Sequence, residues 1–169
     1  MLLDVVYTPR AQTETGVSDR GASQDRNTYL QVTAGKTLVD RFEMSNQSGI
    51  ALRVSYGLPI QRPIALEISF LDQQVHEVMQ REGLAAQIVA QHEFSTAHIQ
   101  VLAGAGPKLA KTSDEALHLT STRADLLLSY GLRVPIGQRM SIVLRLGRIE
   151  SASKRNDTDL VTGAFTINL

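Results

Sequence analysis

Two parts of this 169-residue sequence, residues 29–70 and 98–148, repeat each other in order, and this repeat restricts the possible folds more than any other feature. The tetrapeptide Ser-Tyr-Gly-Leu occurs once in each part, at residues 55–58 and 129–132, and Pro-Ile and Gln-Arg follow both copies. Upstream, Leu-Gln-Val-Thr-Ala-Gly in the first part corresponds to Ile-Gln-Val-Leu-Ala-Gly in the second. Matches that keep their order over about forty residues predict that both parts share one structural plan.

Apolar and polar residues alternate through much of the chain, which is typical of strands with one buried and one wetter face. Leu52, Val54 and Tyr56 share one side of a predicted strand, and residues 64–70 show the same alternation. Regular succession of strands and helices is absent from the sequence pattern. We therefore predict an all-β fold, a sandwich or barrel of about ten mainly antiparallel strands with a pseudo-duplicated half and at most one or two short helices.

Four segments are assigned from local signals. Residues 72–81 are predicted to form a short helix, because their apolar residues share a helical face and an aspartate can cap the first turn. Residues 84–93 fit either a strand or a helix, and the strand is favoured because the repeat then places it opposite residues 2–7. Residues 35–37 are predicted to form a hairpin turn and residues 104–107 to lie in a loop, since glycine and proline are common there.

The chain is predicted to be a single β domain over residues 1–169, with residues 1–27 as an extended N-terminal strand and arm. Within this arm, residues 8–27 are polar or small and show no apolar periodicity. Long segments of this kind usually carry function when they belong to a compact domain. Such an arm needs a surface to lie against, and we expect a neighbouring subunit to provide it.

Composition excludes several classes of protein. Seventeen basic residues balance seventeen acidic ones, so no long-range field attracts nucleic acid, and we predict no specific nucleic-acid partner. Cysteine is absent, which excludes disulfides, a thiolate nucleophile and cysteine-based metal sites. The N-terminus lacks a basic region typical of a secretory signal, and no apolar run approaches the length of a spanning helix. These observations predict a protein without a membrane span.

Motifs for catalysis are incomplete. Gly35-Lys36-Thr37 lacks the earlier glycine of a phosphate-binding loop, and His76-Glu77 lacks the second histidine of a zinc protease motif. His92 and His98 have no third histidine near them in the sequence. We therefore predict no catalytic residue, no cofactor, no metal site and no enzymatic activity.

Arginine and tyrosine side chains are the best candidates for an interface, because both residue types are common anchors of protein contacts. In one interpretation, two related surface loops pair Tyr56 with Arg62 and Tyr130 with Arg139. The favoured interpretation is that each repeat is a scaffold element, in which a strand ends in a core tyrosine and glycine allows the chain to turn. The candidate interface residues are Arg10, Arg20, Arg26, Tyr56, Arg62, Tyr130 and Arg139.

These features favour a non-enzymatic structural assembly protein, most simply a virion subunit of a phage capsid, decoration or tail, made in the host cytoplasm and acting through repeated subunit contacts. Its predicted partners are copies of itself and other assembly proteins. The similarity to phage particle subunits lies in strand pattern, small polar loops and the lack of cysteine, and not in a shared sequence motif. Two alternatives remain: a β-sandwich module that binds a ligand or glycan, and a filament subunit at the bacterial cell surface.

Overall fold

Eight β-strands form the fold in the computed structural model, which describes residues 28–39, 48–76, 79–94, 98–114, 118–151 and 157–169. No helix occurs among these residues, so none is long and apolar enough to cross a membrane. The strands are β1 (Tyr29–Val39), β2 (Ser48–Gln61), β3 (Ile64–His76), β4 (Met79–Phe94), β5 (Ile99–Asp114), β6 (Leu119–Pro135), β7 (Met140–Glu150) and β8 (Thr158–Asn168).

Each strand pairs antiparallel with the next in the chain, and β1 pairs antiparallel with β8, which closes the sheet into a barrel. A path between Cα partners that leaves β2 at Leu58 returns to the same strand at Ser48, ten residues away. The path runs through Leu66, Ile88, Ala105, Leu128, Arg148, Asp159 and Leu38. With strands about 4.8 Å apart and about 3.3 Å per residue, this shift over eight strands requires a tilt of about 40° from the barrel axis.

The barrel has two distinct ends. The terminal end carries the start of β1, the end of β8 and three connections, residues 62–63, 95–98 and 136–139. The loop end carries the other four connections, residues 40–47, 77–78, 115–118 and 151–157. The two longest connections, of eight and seven residues, therefore lie at the loop end.

The prediction of an all-β, antiparallel fold is confirmed, whereas the sandwich and the ten strands are not found. Residues 84–93 lie within β4, as the favoured alternative predicted. The predicted helix is wrong, because β3 extends to His76 and β4 begins at Met79. The predicted turn at residues 35–37 and loop at 104–107 are also wrong, since β1 and β5 pass straight through them. The arm at residues 1–27 lies outside the described residues, and the single-domain assignment stays a prediction.

Strands β2 and β6, which carry the repeated tetrapeptide, are four strands apart in the closed order of eight and lie on opposite sides of the barrel. The two copies differ in register. Tyr56 pairs with Leu30 on β1. In the repeat Leu30 corresponds to Ile99, but Tyr130 pairs with Ala103 on β5, four residues beyond Ile99. The two halves thus share strand order and side-chain alternation without sharing one register.

Gly57, in the first copy of the tetrapeptide, leaves room inside the barrel for the ring of Tyr29, which is its Cα partner on β1. A Cβ atom at this position would overlap the ring carbons of Tyr29, which is itself buried. The Gly57→Ala substitution is therefore expected to cost about 1–3 kcal/mol of unfolding free energy, the usual cost of overpacking.

Gly163→Ala is the matched control, because nothing lies within 4 Å of a Cβ atom added to this glycine of β8. Its effect on denaturant unfolding should stay within about 0.5 kcal/mol. Equal unfolding midpoints for the two variants would show that the contact between Tyr29 and Gly57 does not limit packing.

Candidate functional site

The outer surface of the barrel is apolar over most of its height. Along β2 the outward residues run from Ile50 through Leu52, Val54 and Tyr56 to Ile60, each 40–59% exposed. Ile50 and Ile60 are ten residues apart, which corresponds to about 25 Å along the axis at the tilt given above. The outer band continues on the other strands with Val32, Ile68, Phe70, Leu84, Ile88, Leu109, Leu132, Val134, Ile142, Leu144, Leu146, Val161, Phe165 and Ile167, all exposed.

Charged side chains border this outer band at the loop end. Arg148 on β7 lies 3.6 Å from Glu150, 3.4 Å from Asp157 and 3.6 Å from Asp159 through its guanidinium nitrogens. On β3 and β4, the Gln80 amide donates to Asp72 at 3.1 Å and to Glu82 at 3.3 Å. Charged and polar outward residues therefore border the apolar band at this end.

The inside of the barrel has the opposite character, and Glu67 on β3 is its centre. This fully buried carboxylate forms an ion pair with Arg53 of β2 and a two-pronged ion pair with Arg145 of β7, at 2.7 and 3.1 Å. The Tyr29 hydroxyl donates to the same carboxylate at 2.9 Å. Four strands therefore meet at one acidic group.

Neutral polar side chains extend this network across the barrel. Arg53 donates to the hydroxyls of Ser55 at 3.0 Å and Ser69 at 2.8 Å and to the side-chain amide oxygen of Gln87 at 2.7 Å. The Gln87 amide nitrogen then donates to Ser129 on β6 at 3.2 Å. Buried charges are stable only when ion pairs and hydrogen bonds satisfy them together, and this network provides both.

Apolar side chains fill the interior on either side of the network. Towards the loop end lie Ala51, Leu71, Ala85, Leu127, Ile149 and Leu160, and towards the terminal end lie Val89, Leu102, Val143 and Ala164. Beyond the first of these layers, the fully buried Lys108 donates to Gln73, and Arg81 donates to Thr158 at 3.2 Å. Side chains therefore occupy the interior from one end to the other.

The repeated tetrapeptide contributes to both surfaces of the barrel wall. Ser55 and Ser129 point inward into the polar network, whereas Tyr56 and Tyr130 point outward and are 40% and 60% exposed. The interpretation that a strand ends there in a core tyrosine is wrong, because β2 continues to Gln61 and β6 to Pro135.

The structure brings few of the predicted interface residues together. Arg62 and Arg139 lie in turns at the terminal end, where the Arg139 carbonyl accepts a hydrogen bond from the Asn168 N–H at 2.8 Å. Tyr56 is six residues from Arg62 along an extended chain, about 20 Å, so the two do not share a loop. Arg10, Arg20 and Arg26 lie outside the described residues. An interface formed by these seven residues stays a prediction.

Comparison with known proteins identifies the fold. No protein-family model and no curated protein matches the sequence. Among solved structures, the chain is similar to Neisserial surface protein A, with 13% identity, a TM-score of 0.70 and coverage of 84% of this chain and 97% of that one. It is also similar to the N-terminal β-barrel domain of OprF from Pseudomonas aeruginosa, with 9% identity, a TM-score of 0.69 and coverage of 86% and 98%. The outer membrane protein Ail of Yersinia pestis has 11% identity, a TM-score of 0.55 and coverage of 85% and 97%.

These similarities overturn the predicted function. A phage virion subunit is wrong, because the fold is an eight-stranded barrel of the kind found in bacterial outer membrane proteins. The predicted absence of a membrane span is also wrong, because it relied on contiguous apolar runs, whereas barrels of this type cross membranes with strands. Of the predicted locations, the bacterial cell surface is the one that the similar structures favour over the virion.

Proposed function

We propose that the chain is an integral protein of a bacterial outer membrane and that its eight strands cross the bilayer. The observation that carries this proposal is the inversion of polarity, with large apolar side chains exposed outside and ion pairs buried inside. In hydrocarbon, every backbone polar group must be satisfied internally, and a closed barrel achieves this without a free edge. The outer surface then faces lipid tails, which favour apolar side chains.

Dimensions support the same proposal. The apolar band on β2 is about 25 Å high, the height typical of transmembrane β-barrels. The strands contain 11 to 17 residues, enough for the 9–11 residues that a tilted strand needs to cross the hydrocarbon core. An even number of antiparallel strands also agrees with bacterial outer-membrane barrels.

The connections suggest an orientation. Outer-membrane barrels have short turns on the periplasmic side and longer loops outside the cell. The terminal end has connections of two, four and four residues, whereas the loop end includes connections of eight and seven residues. We infer that the loop end faces the outside of the cell. The start of β1 and the end of β8 then face the periplasm. That the protein is not an enzyme stays a prediction.

A depth-dependent fluorescence experiment tests the membrane proposal, because the chain has no tryptophan and a single introduced one is a unique probe. Tyr130 is the middle one of the outward residues of β6 between Ala124 and Ile136, so Tyr130→Trp places the probe at the centre of the band. In vesicles whose lipids carry bromine deep in their acyl chains, we expect blue-shifted and strongly quenched emission.

The matched control is Thr122→Trp, an exposed position on the same strand beyond the band at the loop end. Its emission should stay red-shifted and almost unquenched. If both variants fold with the same emission in brominated and ordinary lipid, the barrel is not embedded in the bilayer and the proposal fails.

A further inference from the structure

The hydrogen-bonded ladder between β4 and β5 has a gap in the middle of the barrel wall. Cα partners run without a break up to the pair Ala85–Lys108 and resume at Ile88–Ala105, so two intervening pairs are missing. The other interruptions of pairing among the described residues are register shifts near strand ends, between β2 and β3 and between β3 and β4. Within the described wall, this gap is therefore the one that lies in mid-strand.

Pro107 on β5 explains the gap, because proline has no backbone N–H to donate. Antiparallel strands bond through alternate residues, so the nitrogen of Pro107 faces only one neighbouring strand. Pairing with β6 continues unbroken through Pro107 and Leu126, and the nitrogen therefore faces β4. The register places Ala86 opposite Pro107 on β4, so the Ala86 carbonyl oxygen lacks its ladder donor.

The buried side chain of Gln87 spans this gap on the inner face of the wall. Its Nε2 donates to the Leu127 carbonyl oxygen at 3.1 Å and to the Ser129 hydroxyl at 3.2 Å, both on β6. The side chain thus passes over β5, where Gly104 and Gly106 leave its path open. A Cβ atom added to Gly104 would lie 2.8 Å from Ser129 Oγ, and one added to Gly106 would lie 2.8 Å from Gln87 Cα. Gln87 therefore ties β4 to β6 across the strand whose ladder is incomplete.

The ion-pair network at Glu67 holds Gln87 in this orientation. The Arg53 guanidinium, which pairs with Glu67, donates to Gln87 Oε1 at 2.7 Å and so directs the amide nitrogen toward β6. A flipped amide would bring its oxygen against the Leu127 carbonyl, and two acceptors cannot bond. The contact across the gap thus depends on the buried charges.

We propose that the wall between β4 and β5 is a lateral gate and that Gln87 is its latch. The bond missing at Pro107 lowers the cost of separating the two strands. Outward residues beside the gap are small, Ala86 and Ala105, so separation displaces little packed side-chain surface. The gate opens when Gln87 releases β6, and opening exposes the polar interior at the side of the barrel.

Amide hydrogen exchange of the full chain refolded in detergent, measured residue by residue by NMR, tests the gate. The N–H of Ala86 faces β5 and that of Gln87 faces β3, because alternate residues bond to opposite neighbours. After correction for intrinsic rates, Ala86 should exchange about tenfold faster than Gln87. Pro107→Ala supplies the missing donor and should slow exchange at Ala86 by about tenfold.

Gln87→Met removes the latch at nearly constant side-chain size, so exchange at Ala86 should become about tenfold faster again. Ser69→Ala is the matched control, because it also removes an acceptor of Arg53, at 2.8 Å, but touches neither β5 nor β6. It should leave the ratio of exchange rates at positions 86 and 87 unchanged.

Equal protection of these two neighbouring amides in the wild type, or equal rate ratios in Gln87→Met and Ser69→Ala, would overturn the gate. The wild-type ratio and Pro107→Ala test it even where Gln87→Met does not refold. Exchange in detergent is independent of insertion into a bilayer, so the gate can fail while the outer-membrane proposal stands.

Discussion

Replacing Glu67 with glutamine is expected to lower the free energy of unfolding by about 3–5 kcal/mol, the largest effect of any single substitution considered for this barrel. Glutamine keeps the size of the side chain and can still accept hydrogen bonds. It cannot neutralise Arg53 and Arg145, which would remain as uncompensated charges inside the barrel. Unfolding by guanidinium in detergent micelles, analysed by linear extrapolation, measures the loss.

Glu150→Gln provides the matched control, because Glu150 also faces an arginine, with Arg148 Nε at 3.6 Å, but both side chains are about half exposed. Exposed ion pairs contribute about 0–1 kcal/mol, so this variant should unfold close to the wild type. Combining Glu67→Gln with Arg145→Met removes one stranded cation and should be less damaging than Glu67→Gln alone. Equal costs for the two glutamate variants would contradict the central role of Glu67.

An arginine at Leu144 is expected to destabilise the barrel in lipid vesicles by about 2–4 kcal/mol, the cost of a cation at the bilayer midplane on a lipid-facing strand position. Leu144 is 55% exposed and lies midway between Met140 and Arg148 among the outward residues of β7. In a water-soluble protein, a substitution at an exposed position of this kind changes the free energy of unfolding by only about 0.5 kcal/mol. The substitution therefore separates a lipid-facing surface from a solvated one.

The comparison is Thr122→Arg, which adds the same charge at an exposed site beyond the apolar band. Its unfolding free energy in vesicles should match that of the wild type within about 1 kcal/mol, since the cost of a lipid-face charge vanishes near the interface. A Leu144→Arg variant as stable as Thr122→Arg would contradict a membrane-facing band.

Much of the secondary structure follows from the period-two pattern, but the pattern does not reveal which side of a strand is inside. Leu52, Val54 and Tyr56 share a face, and in a protein surrounded by water that face is buried. Here it faces outward, and the polar residues between them are the buried ones. Alternation is identical in the two cases, so periodicity predicts strands and leaves the environment of each face undetermined.

A more specific signal for the interior was present in the sequence. Arg53, Glu67 and Arg145 are each flanked on both sides by large aliphatic residues. A single charged residue between apolar neighbours is costly to bury unless it is paired. Two arginines and one glutamate in such positions therefore predict a buried ion-pair network if the strands close on one another. Their pairing required the barrel topology, since 78 residues separate Glu67 and Arg145 in the chain.

Glycine caused the errors at residues 35–37 and 104–107. Gly35, Gly104 and Gly106 suggested turns, yet all three lie within strands and an added Cβ atom would be crowded by a neighbouring strand or by interior side chains. A glycine inside a strand often marks such a close approach. Local turn preferences do not distinguish this use of glycine from a change of chain direction.

Pairing between the first and last strands determines when this chain can fold. Leu30 and Ile167 are Cα partners although they are 137 positions apart in the sequence, so β1 has no permanent second neighbour until β8 has been synthesised. Before closure, both outer strands expose unpaired backbone groups and apolar faces, which is the usual starting point of aggregation. The barrel can therefore close only when all eight strands are available, because the last strand completes the pairing of the first.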